Sequence, residues 1–166
     1  MKIRKMKLLL IFLILIIPVL AVADQPAYLL FDGYSLKLCN KQGALIKQWK
    51  AGAGSIFSTV KDQSQKNRGP LPEGTYIVRR DHTIFFNHDD SKSKLKWFLK
   101  YIAWGDLAIP LEPHATNKMY GRNAFMIHGG GWIVGSKGCV YVYSKSTEVY
   151  QALKQCSGNV ELMVKY

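Results

Sequence analysis

The segment FMIHGGGWIVGSKGCV, residues 125–140, places His128 and Cys139 close together, with Gly129, Gly130 and Gly131 following the histidine and Gly138 directly preceding the cysteine. A thiol attacks a carbonyl carbon as the thiolate, and a nearby imidazole can lower its pKa or take its proton. His128 ends one predicted strand and Cys139 opens the next, so a returning chain brings the two side chains together. The glycines permit that return, and Gly138 lets the chain turn sharply before the cysteine. Such a turn can aim successive backbone N–H groups at one spot, where they stabilise the oxyanion of thiolate addition. Ser136-Lys137-Gly138-Cys139 is therefore a candidate oxyanion loop. The same residues also suit a loose hairpin carrying a surface histidine and an apolar cysteine, and spacing alone leaves both readings open. His82, His88 and His114 lack the short spacing to His128 or Cys139 that zinc sites use, so neither metal nor cofactor is expected.

The elements that must position this pair are mostly strands. YLLFDGYSLKLCNKQGALIKQW, residues 28–49, reads as strands joined by tight turns at Asp32-Gly33 and at Asn40 to Gly43. A polar, glycine-rich stretch ending in Gly69-Pro70-Leu71-Pro72 reads as a loop. TYIVRR and TIFFN follow as strands, since β-branched and aromatic residues dominate them. Leu95, Phe98, Leu99 and Ile102 have the spacing of a short amphipathic helix within residues 89–104. A short strand before His114, then AFMIH and CVYVY, complete the middle. STEVYQALKQCSG reads as a helix capped by Ser146 and ended by Gly158, with VELMVKY as the last strand. The expectation is one mainly β domain with two short helices.

The N-terminus carries Lys2, Arg4, Lys5 and Lys7, an apolar run from Leu8 and the small-residue pattern Ala21-Val22-Ala23. This is the pattern of a secretory signal peptide over residues 1–23, leaving 24–166 as the mature domain, periplasmic or secreted. Losing those four cations and no acid lowers the formal charge from +12 to +8. A basic surface suits nucleic acid, anionic membrane or a polyanionic wall polymer, and export argues against nucleic acid. In an oxidising compartment an odd count of three cysteines leaves at least one thiol unpaired. The expected pair is Cys39 with Cys156, leaving Cys139 free; three reduced, buried thiols are the alternative.

IHGG followed closely by GSKGCV resembles the signature of the L,D-transpeptidase (YkuD-type) family, in which His-Gly precedes Ser/Thr-x-Gly-Cys and a hydrophobic residue. The short interval, Gly121-Arg122 and GPLPEGTY at residues 69–76 resemble a compact branch that includes peptidoglycan-targeting type VI secretion effectors. The resemblance implies an L,D-transpeptidase-like β-sandwich or mixed-sheet fold and a cysteine acyl-transfer enzyme acting on peptidoglycan stem peptides. It implies Cys139 as nucleophile, His128 as base and acid, the Gly138 and Cys139 N–H groups as oxyanion donors, and Ser136 as a brace. Gly129 would allow close approach of the imidazole or substrate. Acceptors would be a stem-peptide amine, a D-amino acid or water, and an antagonistic role implies an immunity-protein partner.

Two positions depart from the larger family: Lys137 stands where a histidine is usual, and Tyr141 where Arg or Asn commonly follows. Arg122 and Lys137 are candidates to bind a stem-peptide carboxylate in compensation, or are solvated surface charges. Tyr120 and Trp132 are candidates to line the cleft. A non-catalytic, wall-binding envelope protein on the same fold is the competing reading. A papain-like peptidase is disfavoured, because its cysteine precedes its histidine in the chain.

Overall fold

The computed structural model describes residues 26–86, 99, 101–130, 135–143 and 146–166. The expected signal peptide, most of the helix expected over 89–104, and Trp132 lie outside them.

Strands β1 (Pro26–Phe31), β2 (Ser35–Asn40) and β3 (Leu45–Ala53) follow one another as antiparallel hairpins. The turns form where the sequence offers short polar side chains. Asp32 Oδ1 accepts the Tyr34 and Ser35 N–H groups, and Asn40 Oδ1 accepts those of Gln42 and Ala44.

The chain continues through β4 (Gly74–Val78), β5 (Ile84–Phe85), a helical turn over residues 101–104, β6 (Leu107–Pro113), β7 (Phe125–His128) and β8 (Val140–Val142). Helix α1 (Ser146–Lys154) and strand β9 (Val160–Val164) end it.

Among the described residues the strands form one sheet in the order β4-β9-β1-β2-β3-β8-β7-β6-β5, and β4 also pairs with β6. That extra pairing closes the sheet into a barrel with β5 attached outside β6, which removes the unpaired edges of an open sheet. The fold is mainly β with two short helices.

Period-two alternation decides which side chains fill the barrel. Leu29, Phe31, Leu36, Leu38, Ile109, Leu111, Phe125, Ile127, Val140, Val142 and Leu162 point inward into one cluster, joined by Val149 and Leu153 of α1. Each fully buried side chain of this kind contributes about 1.5–3 kcal/mol.

Two expectations are corrected here. Cys39 and Cys156 form no disulfide; all three cysteines are free and buried. Leu36 and Leu38 point into the core, so Cys39 faces the opposite side of β2 and lies across from Tyr28, whereas Cys156 belongs to the core cluster. Cys39 thus lies outside the core cluster that holds Cys156. Ser146 begins α1, but its hydroxyl donates to Asp106 Oδ1 at 2.5 Å and accepts the Leu107 N–H at 3.3 Å, tying the helix to β6.

Candidate active site

Strands β7 and β8 run parallel, with Ile127 opposite Val140 and His128 opposite Tyr141. Ile127 and Val140 point inward, so His128 and Tyr141 point to the outer face. Stepping the register back one residue sets Cys139 beside Met126, making His128 its diagonal neighbour on that same outer face. Cys139 and His128 both line a cleft of about 550 Å³, together with Trp104, Arg122 and Ser136.

His128 is 4% exposed, and its Nδ1 lies 2.7 Å from the Gly129 carbonyl oxygen. A carbonyl only accepts, so Nδ1 carries the proton and Nε2 keeps its lone pair. The Trp104 ring lies against the imidazole, with centroids 4.8 Å apart, and the Gly129 N–H donates to the Trp104 carbonyl at 3.1 Å. Burial holds the His128 pKa below its ordinary 6.5, although the Gly129 hydrogen bond opposes it.

Burial likewise pushes the Cys139 thiol above its ordinary 9.0, while the Met126 N–H, the Arg122 charge and the cysteine's own N–H pull it back. Both groups are thus neutral near pH 7. Such a pair can deliver a thiolate by moving the thiol proton to Nε2 as the sulfur attacks.

Ser136 holds the turn before the cysteine. Its Oγ donates to the Cys139 carbonyl at 2.6 Å and accepts the Gly138 N–H and the Gly54 N–H, each at 3.1 Å. Gly138 has φ +128°, a conformation that side-chain-bearing residues rarely adopt. Its N–H is engaged with Ser136 Oγ and is not presented to an oxyanion, contrary to the expectation from sequence. The Gly129 N–H is also engaged, at Trp104, and serves the packing of the imidazole. The backbone of Met126 and of Cys139 itself lies against the sulfur and draws the thiol pKa down against burial.

Arg122 is corrected too. It is 6% exposed, and Nη1 donates to the carbonyls of Gln63 at 2.5 Å and Pro70 at 2.7 Å, while Nη2 donates to those of Gly69 at 2.7 Å and Lys137 at 3.2 Å. Its terminal N–H groups are filled by main chain, leaving no bidentate fork for a substrate carboxylate. Tyr120 does not line the cleft; it is 43% exposed, and the Lys118 ammonium lies 5.2 Å from its ring centroid. Lys137 lines the cleft with an exposed side chain.

Sequence reasoning missed Trp104 and Lys66. Trp104 ends an apolar helical pattern and could have been flagged as a side chain needing cover. Lys66, in the polar loop before β4, lines the cleft with Lys137, and no Asp or Glu does so among the described residues.

The closed barrel therefore carries a buried histidine at the end of β7 and a buried cysteine directly before β8, both lining one cleft. The family model of the Tlde1 domain matches residues 49–164, and the chain belongs to that family. The crystal structure of the L,D-transpeptidase (residues 123-326) from Xylanimonas cellulosilytica DSM 15894 is similar, with a TM-score of 0.49 and 13% identity. That match covers 87% of this chain and 62% of the other, so the chain spans less than two thirds of the solved structure it resembles. No curated protein matches the chain.

Proposed function

We propose that the protein is an exported cysteine acyltransferase acting on peptidoglycan stem peptides, with residues 1–23 a signal peptide and 24–166 the mature catalytic domain. The observation that supports this reading is that Cys139, directly before β8, and His128, at the end of β7, line one cleft, with Nδ1 bound to the Gly129 carbonyl so that Nε2 keeps its lone pair.

The Cys139 proton passes to His128 Nε2 as Sγ bonds to the carbonyl carbon of a meso-diaminopimelate residue. The electron pair of the C=O bond moves to oxygen, for which the Cys139 N–H is the proposed donor. Collapse breaks the C–N bond to the terminal D-alanine, whose amine leaves with the proton from the imidazolium. A thioester remains. An amine acceptor then gives a crosslink or D-amino-acid exchange, and water gives L,D-carboxypeptidase activity; all three restore the thiol. Lys66 and Lys137 would face the carboxylates of the stem peptide, and among the described residues no acidic side chain lines the cleft. The protein works in the periplasm or outside the cell, and if its role is antagonistic its producer carries an immunity protein.

Burial of the Cys139 thiol, which raises its pKa, favours a second reading: a non-catalytic peptidoglycan-binding protein on this fold. Intact-mass analysis of wild type and Cys139→Ala with tetrapeptide muropeptides, followed by product chromatography, separates them. A Cys139-dependent adduct or release of D-alanine supports the enzyme. Binding to sacculi with an unchanged muropeptide profile, in a folded protein, supports the second reading.

A further inference from the structure

Arg122 is almost fully buried and has no carboxylate partner among the described residues. An isolated guanidinium in such a place is expensive unless its donors are filled. Here four main-chain carbonyls fill them, and the Phe125 ring lies 5.0 Å from its central carbon. Three of those carbonyls, from Gln63, Gly69 and Pro70, belong to the loop before β4, and the fourth is that of Lys137.

The Lys137 carbonyl and the Gly138 N–H are the two ends of one peptide plane. Arg122 Nη2 holds the carbonyl end, and Ser136 Oγ holds the N–H end. That plane sets the direction in which the chain enters Cys139. The carbonyl bonds leave the cation's charge uncancelled, and Arg122 lines the same cleft as Cys139, two residues beyond the carbonyl it holds. Among the described residues, the other titratable and charged groups about the thiol are His128 on β7 and Lys137 and Lys66 on the cleft wall, while Tyr76 and Tyr166 lie near Arg122.

We propose that Arg122 is a positioning residue: it fixes the peptide plane before Cys139 from the loop at residues 63–70 and supplies the buried positive charge that supports the thiolate. This rests on the acyltransferase reading, but its primary test needs no peptidoglycan.

The test is the pH dependence of iodoacetamide alkylation at Cys139, followed by peptide mass spectrometry in wild type, Arg122→Lys and Arg122→Gln. Removing this positive charge is expected to move the alkylation midpoint of Arg122→Gln upward by about 1 pH unit. Arg122→Lys keeps the charge but cannot span four carbonyls, so its midpoint moves less. With muropeptide substrate both lose turnover, with little change in KM. Midpoints coinciding with wild type overturn the electrostatic role, and a raised KM with unchanged kcat returns Arg122 to substrate binding. Should Arg122→Gln fail to fold, Arg122→Lys decides on its own: an upward midpoint with lost turnover supports the proposal, and wild-type behaviour in both overturns it. An unreactive muropeptide with wild-type Cys139 still alkylated in the Arg122-dependent manner defeats the acyltransferase reading alone.

Discussion

Ser136 and Gly54 are bonded in both directions: the Ser136 N–H donates to the Gly54 carbonyl at 2.7 Å, and the Gly54 N–H donates to Ser136 Oγ at 3.1 Å. The loop entering Cys139 is thereby tied to the end of β3, far away in the chain.

Ser136→Ala removes one hydroxyl and strands the Gly54 N–H, the Gly138 N–H and the Cys139 carbonyl together. Leaving buried groups unsatisfied costs about 1–3 kcal/mol, and the expected loss in urea unfolding lies in that range. Turnover should fall more than substrate affinity, because the lost bonds orient the nucleophile. Ser136→Thr retains the hydroxyl and is expected to recover most of both; equal losses in the two variants would rule out the hydroxyl as the cause.

The pH profile of kcat/KM should be broad and bell-shaped. The reactive pair carries one proton between Cys139 and His128, so rate is lost at low pH when the imidazole is protonated and at high pH when that proton leaves. The pKa of His128 is lowered from 6.5 and that of Cys139 raised from 9.0, so the acid limb falls below 6.5 and the alkaline limb above 9.0. His128→Gln is expected to lower the rate by about 10²–10⁴-fold and to abolish the acid limb. An acid limb retained in that variant would assign it to another group.

Gly138→Ala should be severe. A Cβ there meets Arg122 Nη2 and the Phe125 ring, and φ +128° is strained for alanine. Rotating this peptide plane disturbs Ser136, Arg122 and Cys139 together. Thermal melts and Cys139 alkylation of the folded fraction measure the two consequences, and wild-type values in both would contradict the placement of this turn.

Asp32 governs an acid-labile part of the stability. Burial alone would raise its pKa, but hydrogen bonds from Lys37 Nζ, the Tyr34 and Ser35 N–H groups and Ser35 Oγ outweigh that and hold it well below the usual carboxylate range. A depressed folded pKa stabilises the fold above the unfolded value near 3.8, and that contribution disappears as pH falls through the folded value. Asp32→Asn is expected to cost about 1 kcal/mol at pH 7 and to flatten the dependence of urea midpoint on pH in the acid range. An unchanged acid dependence would place the effect elsewhere.

Thiol titration of the denatured, never-reduced protein should find the three free cysteines, Cys39, Cys139 and Cys156. Recovery of a single thiol would show that two of them pair outside this structure.

Much of the fold was legible because its signals are local. Alternation in LLF and SLKLC marks which side chains enter the barrel, and Asp32 and Asn40 mark turns because each side chain accepts N–H groups within four residues of itself. His128 and Cys139 were legible as candidates for one site because each sits at a strand end beside glycine, and both line one cleft. Closure of the barrel through β4 and β6 was not, since the hydrophobic period says which face is buried but not which strand lies alongside.

The sequence by itself determined the strands, the turns, the resemblance carried by IHGG, GSKGCV and GPLPEG, and the residues available for chemistry. Only the tertiary structure decided what their polar groups do. Arg122 looked free to bind a carboxylate until Gln63, Gly69 and Pro70 arrived from another loop, Gly138 looked free to donate until Ser136 Oγ took its N–H, and Cys39 looked free to pair until alternation turned it away from Cys156. A donor or thiol is assigned by whichever partner folding brings within reach, and those partners lie far away in sequence, where neither spacing nor composition can register them.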